Sequence, residues 1–388
     1  MEISDVIPAG GVPQRIFCDK CNEHTELAFV DFKEPVSGVT LSISGLPMLR
    51  CPKCSHEQLP DASRFAIVEL HRQAQERSSP TAIVKRNKRT EIFNFTVPSF
   101  IYDADDYFYF PGLQRQFDMG FLQPIFFQRR VLLKYDNTPG YRLKFASSTY
   151  GEIVTETDNG SISFGINRYG NVVMWLGDIA KLPETEQYYL RSENIASDHS
   201  IGSEFYDGQI ECIFTPLSRE AELFRVRSTF LDKCHTKFGF PIGHLEAEAL
   251  DLALSFNPPV IDTPKERKHV ADTLNKVYLE SIQASALESI IRDLGVTPLE
   301  GGNLKKLQTI LQAIAPTENV ASLLSSLYVL YDFRVENLHL MPSGGSSKLK
   351  SITDRLDLPI NASLQDIYAS LIIGLTNSFK GMTKLVET

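Results

Sequence analysis

At 388 residues the chain is longer than one hydrophobic core usually spans, so two or three domains are expected. Hydrophobic residues at 43% and charged residues at 22% are ordinary globular usage, and no run approaches the ~20 apolar residues that cross a bilayer, so a membrane protein is not expected. A net charge of −9 argues against a chain that wraps nucleic acid through a global positive field, which leaves only local contacts for such a partner.

The first residues, Met1-Glu2-Ile3-Ser4-Asp5, lack the basic and apolar regions of a secretory signal, so a cytoplasmic protein with reduced thiols is expected. Four of the six cysteines form two C-x2-C pairs, Cys18 with Cys21 and Cys51 with Cys54. In a reducing compartment that spacing suits metal better than disulfides, and four soft ligands close a tetrahedral site with no position for water. A structural Zn2+ is therefore expected, within a zinc ribbon over residues 1–60. Asn22 and Ser55 follow the second cysteine of each pair, where asparagine tolerates positive φ well. His24 and His56 read as exposed loop residues, and Cys212 and Cys234 as small buried hydrophobes. Val39-Thr40-Leu41-Ser42-Ile43 followed by Gly45-Leu46-Pro47 reads as a strand and a hairpin turn back toward the second pair.

Residues 61–89 read as a helix and a basic connector. Asp61-Ala62-Ser63 can cap a helix to about residue 75, with Ile67, Leu70 and Ala74 on one apolar face. Ser78-Ser79-Pro80 ends it, and Lys85-Arg86-Asn87-Lys88-Arg89 reads as exposed, touching phosphates at most locally. Residues 90–240 are expected to form a β-rich central domain, mostly antiparallel. Its strand-like runs are Arg130-Val131-Leu132-Leu133, Tyr141-Arg142-Leu143-Lys144-Phe145 and Ser161-Ile162-Ser163-Phe164-Gly165, separated by turns at 136–140 and 158–160. Within it, Asp103, Asp105 and Asp106 read as a solvated turn, and Asp198-His199 as polar loop residues. The runs 175–178 and 186–190 carry no assignable mechanism and are read as packing or a sensing surface.

From 241 to 388 the apolar spacing becomes helical, over 245–256, 265–294, 304–314, 320–340 and 364–386, which makes the chain an α+β multidomain protein with a helical C-terminal bundle. Arg334 and His339 lie five positions apart in one of these helices. Metal-independent RNA cleavage needs a base for the ribose 2′-hydroxyl and a fixed cation for the phosphate, roles that His339 and Arg334 can fill. On an ideal helix the two point about 140° apart, so a distorted helix or a dimer interface would be needed to bring them together. The competing reading makes Arg334 an ion-pair partner of Asp332, Glu336 or another acid, and His339 a cation at a helix C-terminus. No Walker A, GxGxxG, GxSxG or HExxH pattern falls where its chemistry requires.

Two resemblances follow from these motifs. The stretch 17–61, with Gly38-Val39-Thr40, Gly45-Leu46-Pro47-Met48-Leu49-Arg50-Cys51-Pro52-Lys53-Cys54 and Glu57, resembles the YgiT-type zinc fingers of antitoxins similar to MqsA. That implies a zinc module used for folding and for holding a protein partner, with Asn22 and Ser55 where the family carries glycine. Residues 260–388, with Arg334 and His339 in Tyr331-Asp332-Phe333-Arg334-Val335-Glu336-Asn337-Leu338-His339, resemble HEPN domains. That resemblance implies an RNA endonuclease, commonly a homodimer, among toxin or antiviral defence effectors; Val335 stands where the family usually has a polar residue. The alternative is a non-catalytic protein in which ribbon and bundle both bind partners.

Overall fold

The structure, a computed structural model, describes residues 1–7, 13–115, 119–155, 160–338 and 346–387. It divides into two units, Met1–Pro216 and Leu217–Thr388, the first mixed α and β, the second helical. The helix Arg219–Phe238 buries Leu223, Val226, Phe230 and Cys234 in the core of the second unit. The β-rich segment thus ends before residue 217, not at 240.

In the first unit, β1 (Glu26–Val36) and β2 (Val39–Arg50) form an antiparallel hairpin. Its turn is Ser37-Gly38, with φ of 40° and 85°, the left-handed region that a tight hairpin requires. The turn expected at Gly45-Leu46-Pro47 is absent, because β2 continues to Arg50. Instead the register slips between Val30 and Phe32, so that Asp31 faces both Ser44 and Gly45. The Asp31 carboxylate accepts the Ser44 hydroxyl at 2.7 Å and the Gly45 amide at 3.1 Å, while Gly45 takes a φ of 72°. The glycine marks a β-bulge, which also signals with positive φ.

β3 (Glu57–Gln58) pairs with the end of β2, and β4 (Thr81–Lys85) lies parallel to Thr40–Ser44. Parallel pairing requires a crossover, and the helix Asp61–Glu76 lies in the connection from β2 to β4, burying Ile67, His71 and Ala74. Leu70 is only half-buried, so His71 takes the core place expected of it.

A second, wholly antiparallel sheet has the order β10-β5-β9-β8-β7-β6. Its strands are β5 (Pro124–Phe127), β6 (Tyr141–Phe145), β7 (Tyr150–Thr155), β8 (Ser161–Ile166), β9 (Val172–Trp175) and β10 (Asn194–Ile195). The expected runs at 141–145 and 161–165 are β6 and β8. The run at 130–133 is not a strand: Arg129–Leu132 is a 3-10 turn leading into the helix Leu133–Asn137. A four-residue apolar run buries equally well either way, as Val131 and Leu132 do here. Asp158 and Asn159 lie outside the described residues.

In the second unit the final helix, Leu364–Glu387, buries Leu364, Ile367, Tyr368, Leu371, Ile372, Leu375, Phe379 and Met382, one stripe at helical spacing. It lies alongside Arg219–Phe238 in the same direction, tied by Tyr368 to Glu220 at 2.8 Å near one end and by Lys233 to Glu387 at 2.8 Å near the other. The helix expected over 265–294 is interrupted: Pro264–Asn275 runs into a π-helical turn, Lys276–Glu280, and a new helix starts at Ala284. The break exists because Ile282 forms a β-bridge with Gly243 and the Gln283 amide donates to Ile242 at 2.8 Å. The helix Ser346–Arg355 was not expected at all; its Ile352 and Thr353 are buried. Among the described residues no helix is long and apolar enough to cross a membrane.

Candidate functional site

The two cysteine pairs sit on matching tight turns. In the first, the Cys18 amide donates to Glu23 at 2.8 Å and the Asn22 amide to the Cys18 carbonyl at 2.9 Å. In the second, Cys51 donates to His56 at 2.8 Å and Ser55 to Cys51 at 2.9 Å. Asn22 and Ser55 occupy left-handed backbone at φ 57° and 58°, so the positions read as glycine substitutes do a glycine's work. Gln58 joins the turns, its side chain reaching both the Asp19 amide at 3.3 Å and the Phe17 carbonyl at 3.4 Å.

The result is four sulfurs within 4.8 Å of one another, with Cys18–Cys54, Cys21–Cys51 and Cys21–Cys54 separations of 3.6, 3.4 and 3.6 Å. A tetrahedron with metal–sulfur bonds of ~2.3 Å has edges of about 3.8 Å, so these residues can hold a metal ion such as zinc. Burial raises the Cys51 thiol, but the Cys54 and Lys53 amides together with the Cys21 and Cys54 side chains outweigh it and bring it down to about 7. For Cys21 the Glu23 amide pulls down, while burial and the three neighbouring thiols push it up to about 12. Four thiolates this close need a dication to coexist.

Neither flanking histidine belongs to the cluster. His24 is held instead by Asp207, Nε2 to Oδ1 at 2.8 Å, and is not a free loop residue. Of the two remaining cysteines, Cys234 is buried as expected; Cys212 is exposed, in a left-handed turn at φ 55°.

Three stretches that read separately as bland converge in the first unit. Asp105 and Asp106 are fully buried and Asp103 nearly so, not a solvated turn. Arg86, from the basic run, pairs with Asp105 at 2.6 Å while its guanidinium lies 4.1 Å over the Phe29 ring, and Lys88 pairs with Asp103 at 2.8 Å. His199 Nδ1 meets Asp106 Oδ1 at 2.7 Å, and the His199 backbone takes the left-handed region at φ 60°. Full burial pushes Asp106 above the ordinary carboxylate range, with His199 opposing. Burial alone would lower His199, but Asp106, with Asp103 and Asp198 behind it, raises it. The unassigned runs pack: Trp175 stacks on Phe205 at 4.8 Å, and Glu186 accepts Lys134 at 2.6 Å and Tyr141 at 2.8 Å.

In the second unit, Arg334 lies in the helix Ser325–Leu338, whereas His339, Pro342, Gly344 and Gly345 lie outside the described residues. Arg334 does not pair with Asp332, which Arg355 takes at 2.6 Å; its guanidinium meets Glu280, on the π-helical turn, at 3.2 Å. That pair is half-exposed, at 31% and 50%, and Arg334 Nε is buried without a partner among the described residues. Arg334 forms part of the wall of a groove of about 430 Å3 between the π-helical turn, the start of the helix Asn303–Ile314 and its own helix. Tyr331 and Lys305 share the groove and were not anticipated from sequence. The available signal was Gly301-Gly302 before a helix whose first turn carries lysine.

No protein-family model, curated protein or solved structure matches the chain.

Proposed function

We propose that the second unit is a metal-independent RNA endonuclease similar to HEPN domains, and that the cysteine cluster of the first unit carries one structural Zn2+. The observation that carries the first reading is the position of Arg334: partly exposed on a groove wall and, among the described residues, held by one half-exposed acid, with a buried Nε that lacks a partner. A guanidinium so placed can exchange a weak ion pair for a bidentate contact with phosphate.

In this reading His339, assigned from the sequence alone, takes the 2′-hydroxyl proton. The 2′-oxygen bonds to phosphorus, the bond to the 5′-oxygen breaks, and that oxygen takes a proton from water to leave as a 5′-hydroxyl, the hydroxide so formed being neutralised by the proton His339 then releases. Arg334 balances the charge on the pentavalent phosphorus. The zinc closes the two turns and takes no part, since four thiolates leave no position for substrate. Function as a defence effector, and partner capture by the ribbon, belong to this reading by analogy.

The test uses zinc-loaded protein and labelled RNA in magnesium-free buffer. Cleavage is expected to fall at least ~100-fold in both Arg334→Ala and His339→Ala with unchanged melting. Equal cleavage by wild type and variants would sink the reading. The Arg334–Glu280 pair favours a second reading, a non-catalytic interaction protein, which predicts that Arg334→Ala changes stability alone.

A further inference from the structure

We infer that three tyrosines of the first unit form a binding cage for a methylated ammonium group, which Lys134 plugs until the ligand displaces it. Lys134 and Tyr135 stand on the helix Leu133–Asn137, and Tyr141 opens β6. Glu186 and Tyr189 lie on the helix Glu184–Ser192, in the run 186–190 that the ribonuclease reading leaves unused. The rings of Tyr141 and Tyr189 meet that of Tyr135 nearly at right angles, at 76° and 84°, with centroids 5.2 and 5.8 Å away. The Lys134 ammonium lies over all three, 4.6 Å from the Tyr189 centroid and 5.7 Å from each of the others, so three ring faces share one cation. Glu186 closes the cage with a carboxylate 2.6 Å from that ammonium.

The resident lysine fits the cage in charge better than in hydrogen bonding. A primary ammonium carries three donors, and among the described residues this one reaches a single acceptor, Glu186, while the rest of its surroundings are ring faces. A dimethylammonium keeps one N–H for Glu186 and turns its methyl groups onto the tyrosine faces. Burial raises the Glu186 carboxyl, but Lys134, Tyr141 and Tyr135 outweigh it and hold it below the ordinary range, so this wall is an anion. Exchanging one cation for another keeps that buried charge balanced. Lys134 is 25% exposed on a helix of five residues, so its ammonium, a strongly hydrated group, has water to move into.

This site is independent of the ribonuclease reading. Calorimetric titration of the full chain with Nε,Nε-dimethyllysine and with lysine tests it. Saturable binding of dimethyllysine is expected, at least ~10-fold tighter than that of lysine and weakened at least ~10-fold by Tyr189→Leu. Tyr189→Phe, which keeps the ring, should retain it, as should Tyr188→Leu, since Tyr188 is 55% exposed and outside the cage. Lys134→Ala removes the plug and should tighten binding at least ~10-fold. No saturable binding by the wild type up to ~50 mM overturns the inference, whatever Lys134→Ala binds, because that variant would then hold the ligand in a hole of its own making. Equal binding by wild type and Tyr189→Leu with unchanged melting overturns it too, as does lysine binding as tightly as dimethyllysine. Should Lys134→Ala fail to fold, the comparison of wild type with Tyr189→Leu and Tyr189→Phe decides alone.

Discussion

Among single residues, the cysteines were the most legible, because a C-x2-C turn is local and its chemistry follows from four letters. Asn22 and Ser55 show the same locality, each taking the left-handed position that the turn imposes. The Asp106–His199 pair was illegible for the opposite reason: its partners stand 93 positions apart, and each looks polar and solvated alone. Arg334 was located but its partner was not, since Glu280 comes from a different helix. The Asp106–His199 pair predicts a pH dependence. Because the folded-state pKa of His199 is raised, its stabilising charge is fully present below the ordinary histidine value of about 6.5 and is lost as pH rises through the higher folded value. Urea unfolding should therefore show wild-type stability declining above that pH, with a shallower decline in His199→Gln. Parallel curves would show that the pair is not charged in the folded protein.

Secondary-structure elements were legible where period and length agreed. The stripe along Leu364–Glu387 repeats for six turns, and nothing else in the chain competes with it. Phe379, 1% exposed and in contact with Phe230 and Tyr278, lies at its centre. Phe379→Ala should cost about 3–5 kcal/mol by chemical denaturation; a loss below ~1 kcal/mol would mean that the two helices do not pack as described. Elements were misread where one residue type serves two structures. Gly45 supports a bulge as readily as a turn, and the choice was made by Asp31 across the ladder. The apolar spacing over 265–294 ran through a break because Ile282 is buried as part of a bridge, not of a helix.

The whole molecule comprises a unit of sheets with the four-cysteine cluster and a helical unit, each with its own core. The apolar spacing anticipated the change to helix in the C-terminal half. It could not place the boundary, since the helix Arg219–Phe238 shows its partner only in three dimensions. If zinc closes only the first unit, purified protein should carry about one zinc per chain, and removing it should abolish that unit's melting transition while most far-ultraviolet helical signal persists. Cys51→Ser should do the same; loss of both transitions together would show the two units to be one cooperative body. The account stands or falls most directly on the ends of RNA fragments made by zinc-loaded protein without magnesium, read by mass spectrometry. It predicts a 2′,3′-cyclic phosphate and a 5′-hydroxyl, products of attack by the ribose itself; a 3′-hydroxyl with a 5′-phosphate, or intact RNA, would contradict it.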